Sequence, residues 1–303
     1  LSTLRWSSGA VPALPEPRMC HSACSLGDGR VVVAGGGRLD EYSPCGDWQD
    51  AGQGEMALQW VPGAPGWAPL PDPLEGRKQF AAVTLPDGRA MVIGGIGYGS
   101  PLLTDRTLAS VEVLAADGSG WSALAPMGTA RNHPAAVPLP CGKVLVVGGY
   151  GPLKTAELWD PATGAWSDLP PMVHGRWCAD VCVLPSGRVA VVGGQGSGDG
   201  IEIGRECEVF DPEARTWQPL PPMAHGRRSH GVVAVPGGML AVGGRPRCMD
   251  GREGDEAAPN ELFDEASGRW FELPHPMAEP RSEAVVVSLS AASLAPAAAA
   301  GAA

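Results

Sequence analysis

The chain has 303 residues, a formal net charge of −11 and only 18% charged residues, with 43 glycines, 31 prolines and 8 cysteines. An acidic chain with no basic stripe argues against a nucleic-acid partner, because phosphate recognition needs clustered Lys and Arg. No apolar run approaches the ~20 residues of a membrane helix, and the abundant Gly and Pro read as many turns.

In chain order, Trp6 is followed by Pro15-Glu16-Pro17-Arg18, the order seen again from Trp217 through Pro221-Pro222-Met223 to Arg227. The N-terminus therefore reads as a fourth strand without its first three. From Arg18 onward one unit recurs five times, and internal repeats of this period decide the fold before any local propensity does. Each unit has an Arg, an apolar run, a turn carrying Gly, a second apolar run ending in a Gly pair, a variable loop, a third strand, a second turn and a Trp. The Gly pairs are Gly35-Gly36, Gly94-Gly95, Gly148-Gly149, Gly193-Gly194 and Gly243-Gly244, about 45–60 residues apart. The Arg series runs Arg18, Arg77, Arg131, Arg176, Arg227 and Arg281, and the Trp series Trp67, Trp121, Trp166, Trp217 and Trp270.

The run before each Gly pair, such as Val144–Val147 or Val189–Val192, shows no polar alternation, which predicts burial on both faces. The third strand carries Glu112, Glu157, Glu208 or Glu261, and Trp follows nine residues later in all four. The first unit places Leu58 at that position. Trp is large enough to fill the wedge between adjacent sheets, leaving its N–H in need of a partner. A residue repeated in nearly every unit works at the level of the unit, so the Arg is expected to tie backbone carbonyls or the third-strand Glu across neighbouring blades. At the far end, Arg281–Leu289 matches a first strand with no clear successor, and the tail from Ala291 is Ala-rich.

The Gly pair, the spaced aromatic-bearing strand and the following Trp resemble the kelch repeat, over about residues 3–290. The resemblance implies an all-β, six-bladed kelch-type β-propeller of the galactose oxidase central-domain-like superfamily. Five complete four-stranded blades are expected, plus a partial blade closed by the N- and C-terminal strands. The domain is read as 1–290, with 291–303 a weak strand or disordered tail. Because the third strand of the closing blade is missing at both ends, the sequence reads as a fragment. The WD40 alternative fits less well: Trp159-Asp160 is isolated in its register, and no Gly-His dipeptide occurs.

Chemistry-bearing constellations are sparse. Cys24 and Cys182 fall where other units have Val, which makes them small buried hydrophobes. Four residues on a strand span ~13 Å, so neither Cys20/Cys24 nor Cys178/Cys182 can form a disulfide. With no Cys-x-x-Cys a zinc site is not expected, and unpaired thiols suggest a reducing, cytoplasmic compartment. Copper-radical oxidases and plant specifier proteins of the superfamily carry Tyr/His ligands or a Glu-x3-Asp-x3-His motif, and neither pattern occurs here. No catalytic constellation, metal or cofactor is therefore predicted. His174 and His225 share a register before the Arg and read as structural. His21 and His230 share another on the first strand, and His133 is a candidate channel-lining residue.

Function is expected where the units differ. The residue directly after the Arg is Met19, Lys78, Asn132, Trp177, Arg228 or Ser282, and the loops after the Gly pairs should open on the same face. The candidate recognition face comprises Arg38, Lys78, Asn132, Trp177, Gln195, Arg228, Arg245 and Arg247. Variable loops on a rigid scaffold are where recognition is built, and Trp and Arg dominate binding hot spots. The expected partner is a protein or peptide, bound by a monomeric propeller, and the resemblance implies a substrate-adaptor role in a ubiquitin ligase. The competing class is an enzyme on the same scaffold, an oxidase or sugar-modifying type with its site at the channel mouth.

Overall fold

The computed structural model describes residues 11–38, 57–97, 106–151, 153–196, 204–245, 258–274 and 286. All regular structure among them is β. Five four-stranded antiparallel sheets follow one another along the chain, each a simple meander in which sequence neighbours pair. We number these blades I to V. Blade IV is typical: the inner strand Asp180–Val183 pairs with Val189–Val192, which pairs with Cys207–Asp211, which pairs with the outer strand Thr216–Leu220. The inner strands of the other blades are Ser22–Ser25, Ala81–Thr84, Ala135–Pro138 and Gly231–Val235. Those of blades I to IV each pack against the inner strand of the next blade, so the sheets radiate from a shared axis.

The unalternating apolar runs are explained by this arrangement. Val144 and Val146 of blade III face the core shared with blade II, whereas Leu145 and Val147 face the core shared with blade IV. Blade IV repeats the division, with Val189 and Val191 on one side and Ala190 and Val192 on the other. Successive strand residues point to opposite faces, and both faces of a blade are covered by neighbours.

The Trp series works as anticipated, with a partner supplied by the neighbouring sheet. Trp121, Trp166, Trp217 and Trp270 pack against the core shared with the preceding blade. Each indole Nε1–H donates to a carbonyl there: Pro71 at 2.8 Å, Ala125 at 2.8 Å, Pro170 at 2.7 Å and Pro221 at 2.9 Å. Trp67 of blade I does the same to Pro12 at 2.9 Å. Pro12 stands six residues before Arg18, as Pro71 does before Arg77 and Pro221 before Arg227. The segment entering blade I thus occupies the register of a preceding blade's outer edge. The expected closing strands, and the tail 291–303, lie outside the described residues. Val286 alone of that stretch is described, and it lines the central bore with the five inner strands.

The Arg–Glu pairing is observed, but not across blades. Arg176 Nη2 bonds Glu208 Oε1 at 2.7 Å, and Nη1 donates to the carbonyls of Gly193 and Glu206, each at 2.8 Å, all within blade IV. Arg131–Glu157 at 2.9 Å, Arg227–Glu261 at 2.6 Å and the close Arg77–Glu112 pair repeat it. The Arg heads the crossing segment from the previous blade, and it must fold back onto its own sheet because that sheet's third strand holds the carboxylate. The same carboxylate also accepts two backbone N–H groups of the crossing segment, Val173 at 2.8 Å and His174 at 3.0 Å for Glu208. His174 and His225 are therefore structural through their amides, and the His225 ring also meets Glu272 Oε2 at 3.4 Å. These pairs are almost wholly buried, and removing one partner of such a pair costs about 3–5 kcal/mol. In blade I, Leu58 sits opposite Val33 in the register that Glu208 occupies opposite Val191, so that blade lacks the acid.

The contact between blades at this level comes instead from the Arg main chain. The Gly194 N–H donates to the Arg227 carbonyl at 2.9 Å, and the Gly149 N–H to the Arg176 carbonyl at 2.9 Å. Gly193 and Gly194 have φ of 59° and 91°. A Cβ on them would lie 2.6 Å from the Arg227 carbonyl oxygen and 2.8 Å from that of Trp177. Only glycine fits both the left-handed backbone and the close approach.

Candidate functional site at the mouth of the bore

The crossing segments and the stretches after the Gly pairs lie at one end of the blades and pair through short ladders. Arg18 and Met19 pair with Arg38 and Gly37, Lys78 with Ile96, Trp177 with Gln195, and Arg228 with Arg245. In blade III the Tyr150 N–H donates to the Asn132 carbonyl at 2.7 Å, the same pairing. Each blade thus contributes one pair of residues to the rim, and the pairs differ from blade to blade because the ladder register is common while the side chains are free to vary.

Of the predicted residues, Trp177, Gln195, Arg228 and Asn132 gather on blades III to V. Trp177 is the centre of the cluster. Its ring lies 5.4 Å from His133, 5.2 Å from Tyr150 in an edge-on arrangement, and 6.0 Å from the Arg228 guanidinium carbon. Arg228 Nη1 donates to Gln195 Oε1 at 2.9 Å, which holds the cation over the indole face. Arg245 is half-buried beside Arg228. Lys78 and Gln195 were expected to present themselves on the face but are buried, at 7% and 8% exposure. Their backbones pair with Ile96 and Trp177 in the rim ladders, and Gln195 also accepts the Arg228 guanidinium. Arg38 pairs with Arg18 away from the aromatic cluster, and Arg247 lies outside the described residues.

Tyr150 heads one of the variable loops expected on this face but is not among the residues singled out from the sequence. It is 62% exposed, an uncommon state for a large aromatic side chain. Its signal was positional: it directly follows the Gly pair, where Gln195 and Arg245 stand in their blades.

Below the rim, the second residue after each Arg has a left-handed backbone: Cys20, Gln79, His133, Cys178 and Ser229 have φ between 51° and 58°. For non-glycine residues this is uncommon, and its recurrence at one position marks a constraint of the architecture. The constraint is a circumferential set of backbone bonds: Gln79 N–H to Cys20 O at 3.0 Å, His133 N–H to Gln79 O at 2.9 Å, and Ser229 N–H to Cys178 O at 3.0 Å. These residues and those that follow surround a bore of about 240 Å³. His133 belongs both to this wall and to the Trp177 cluster, joining the two.

Two bore residues are electrostatically unusual. Burial pushes the Asp180 carboxyl up to about 7, against two backbone N–H donors that favour its ionised form. Its surface is only partly covered, and it lines the bore. His230 is 5% exposed and occupies the register of Phe80, with its ring against Gly193 as the Phe80 ring lies against Gly35. Burial, with the Arg227 and Arg176 charges nearby, lowers it to about 3 and keeps it neutral. Cys24 and Cys182 are buried in the inter-blade cores, and desolvation drives the Cys24 thiol up to about 12. Among the described residues, no three His, Cys, Asp or Glu side chains converge as metal ligands.

Repeated blades, a common Arg–Glu and Gly–Gly scaffold and an end built of unlike residues define a β-propeller whose repeat is similar to the kelch motif. Known proteins agree. Residues 131–173 match the family model described as the Kelch motif. A stretch of 39 residues is 49% identical to "Kelch-like protein 7" of Gallus gallus and equally to that of Homo sapiens, covering 13% of this chain and 7% of each relative. The solved structure of YjhT shares the fold with a TM-score of 0.70 at 17% identity, over 92% of this chain and 90% of that one.

Proposed function

We propose that this propeller is a protein-recognition module whose partner, a protein or peptide, seats on the rim of blades III to V. The observation that carries the reading is the Trp177 cluster: an indole flanked by Tyr150, His133 and an Arg228 anchored by Gln195. Rigid aromatics and a pre-oriented guanidinium are what binding hot spots are made of, because little side-chain entropy is lost on contact. Two further exposed apolar side chains, Leu74 and Val173, stand on the crossing segments at the same end.

The finer reading is that the module supplies the substrate-receptor half of a ubiquitin-ligase adaptor in a reducing, cytoplasmic setting. It rests on the resemblance to kelch propellers with that role, and on Cys24, Cys141, Cys182 and Cys207, which form no disulfide. The test is capture of a partner by the full-length protein, followed by the same capture with Trp177→Ala and Arg228→Ala together. Loss of capture with an unchanged melting temperature supports the module, and unchanged capture refutes it. Co-purification of the full-length protein with a cullin supports the adaptor role, and its absence with the partner still bound removes that role alone.

A further inference from the structure

Asp180 is the odd member of its ring. Four residues after each Arg, the other blades place Ser22, Ala81, Ala135 and Gly231, which are small and leave the bore open in front of the carboxylate. Its Oδ1 accepts the Val181 N–H at 2.8 Å and its Oδ2 the Val232 N–H at 2.6 Å. A carboxylate offers about four lone-pair sites, so half of its capacity faces the cavity. Among the described residues no cation pairs with it: Arg176 and Arg227, on the same two blades, are committed to Glu208 and Glu261. A buried ionised carboxylate without a counter-charge is costly.

A second observation comes from the same cavity. His230 lines the bore, is 95% covered, and neither ring nitrogen has a hydrogen-bond partner. Buried polar groups in folded proteins are overwhelmingly satisfied, and orphaned ones point to something that completes them. The cavity of about 240 Å³ accommodates several water volumes of ~30 Å³, enough for a short aliphatic chain with a polar group at each end.

We propose that the bore is a binding site for a primary ammonium group, paired with Asp180, on a short ligand whose second polar group bonds His230. The cation can belong to a free small amine or to a lysine side chain. The acidic net charge of −11 raises the local concentration of such cations. The site uses Asp180 and His230, neither of which belongs to the rim cluster, although His133 borders both.

The probes are 1,4-diaminobutane, its uncharged isostere 1,4-butanediol, and a lysine blocked at both backbone ends, titrated calorimetrically at about pH 8, where a carboxyl raised to about 7 is ionised. The expected result is saturable binding of the diamine, at least about tenfold weaker binding of the diol, and a similar loss in Asp180→Asn. That amide keeps an oxygen for the Val232 N–H, and its folding is checked by its melting curve. If the variant does not fold, the diamine–diol comparison on the native chain still decides. Tighter binding of the blocked lysine than of the diamine assigns the ammonium to a partner's side chain, and the reverse order assigns it to a free amine. No diamine binding up to about 10 mM, equal affinity for the diol, or full affinity in a folded Asp180→Asn overturns the proposal. The Trp177→Ala, Arg228→Ala protein retains its amine affinity here, so the failure of one reading is distinguishable from failure of the other.

Discussion

At the scale of single residues, the Arg and Glu of each blade act as one buried unit. Glu208 holds one guanidinium and two backbone amides, so every charge in that volume is answered. Glu208→Gln leaves Arg176 charged and buried with its partner gone, and should lower unfolding stability by about 3 kcal/mol in urea. The joint change Arg176→Met with Glu208→Met should cost less than the single change, because no orphaned charge remains. Trp217→Phe removes one indole N–H bond to Pro170 while keeping most of the packing, and should cost about 1 kcal/mol. A loss as large as that of Trp217→Ala would mean that the hydrogen bond, rather than the packed ring, dominates.

At the scale of elements, the inner strands carry two groups whose titrations oppose one another. Asp180 is raised in the folded state to about 7, above its unfolded value near 4. The folded chain therefore holds the extra proton in that window, and stability falls as pH rises through it. His230 is depressed to about 3, below an unfolded value near 6.5. The unfolded chain takes the proton first, so stability falls as pH drops from that value toward 3. Melting curves across this range should separate the two: Asp180→Asn removes the decline toward neutral pH, and His230→Phe, which copies the Phe80 arrangement, removes the decline toward acid. Much of the blade was legible in the sequence for a physical reason. Burial on both faces forbids polar alternation, the close approach of the next blade demands Gly193-Gly194, and the wedge demands a Trp. What was not legible was the direction of the Arg contact. Arg176 and Glu208 are 32 residues apart, and nothing in that separation says whether the guanidinium turns to its own sheet or the next.

At the scale of the whole molecule, uniform blades leave their differences concentrated at one end. The sequence pointed to that end through Met19, Lys78, Asn132, Trp177 and Arg228, residues in register that do not resemble one another. It did not single out Tyr150, although its place after the Gly pair matches that of Gln195, and it did not reveal that Lys78 sinks into the wall, because burial of a rim side chain depends on its neighbours across the ladder. The left-handed ring from Cys20 to Ser229 was equally hidden, since no glycine marks it. Partner capture by the full-length protein tests the central claim most directly, comparing rim changes Trp177→Ala and Arg228→Ala with changes at the opposite end, Arg89→Ala and Lys143→Ala. Loss of capture with the rim pair alone, both proteins melting as the native one does, is the outcome predicted. Capture that survives the rim pair and fails with the opposite pair would contradict the account.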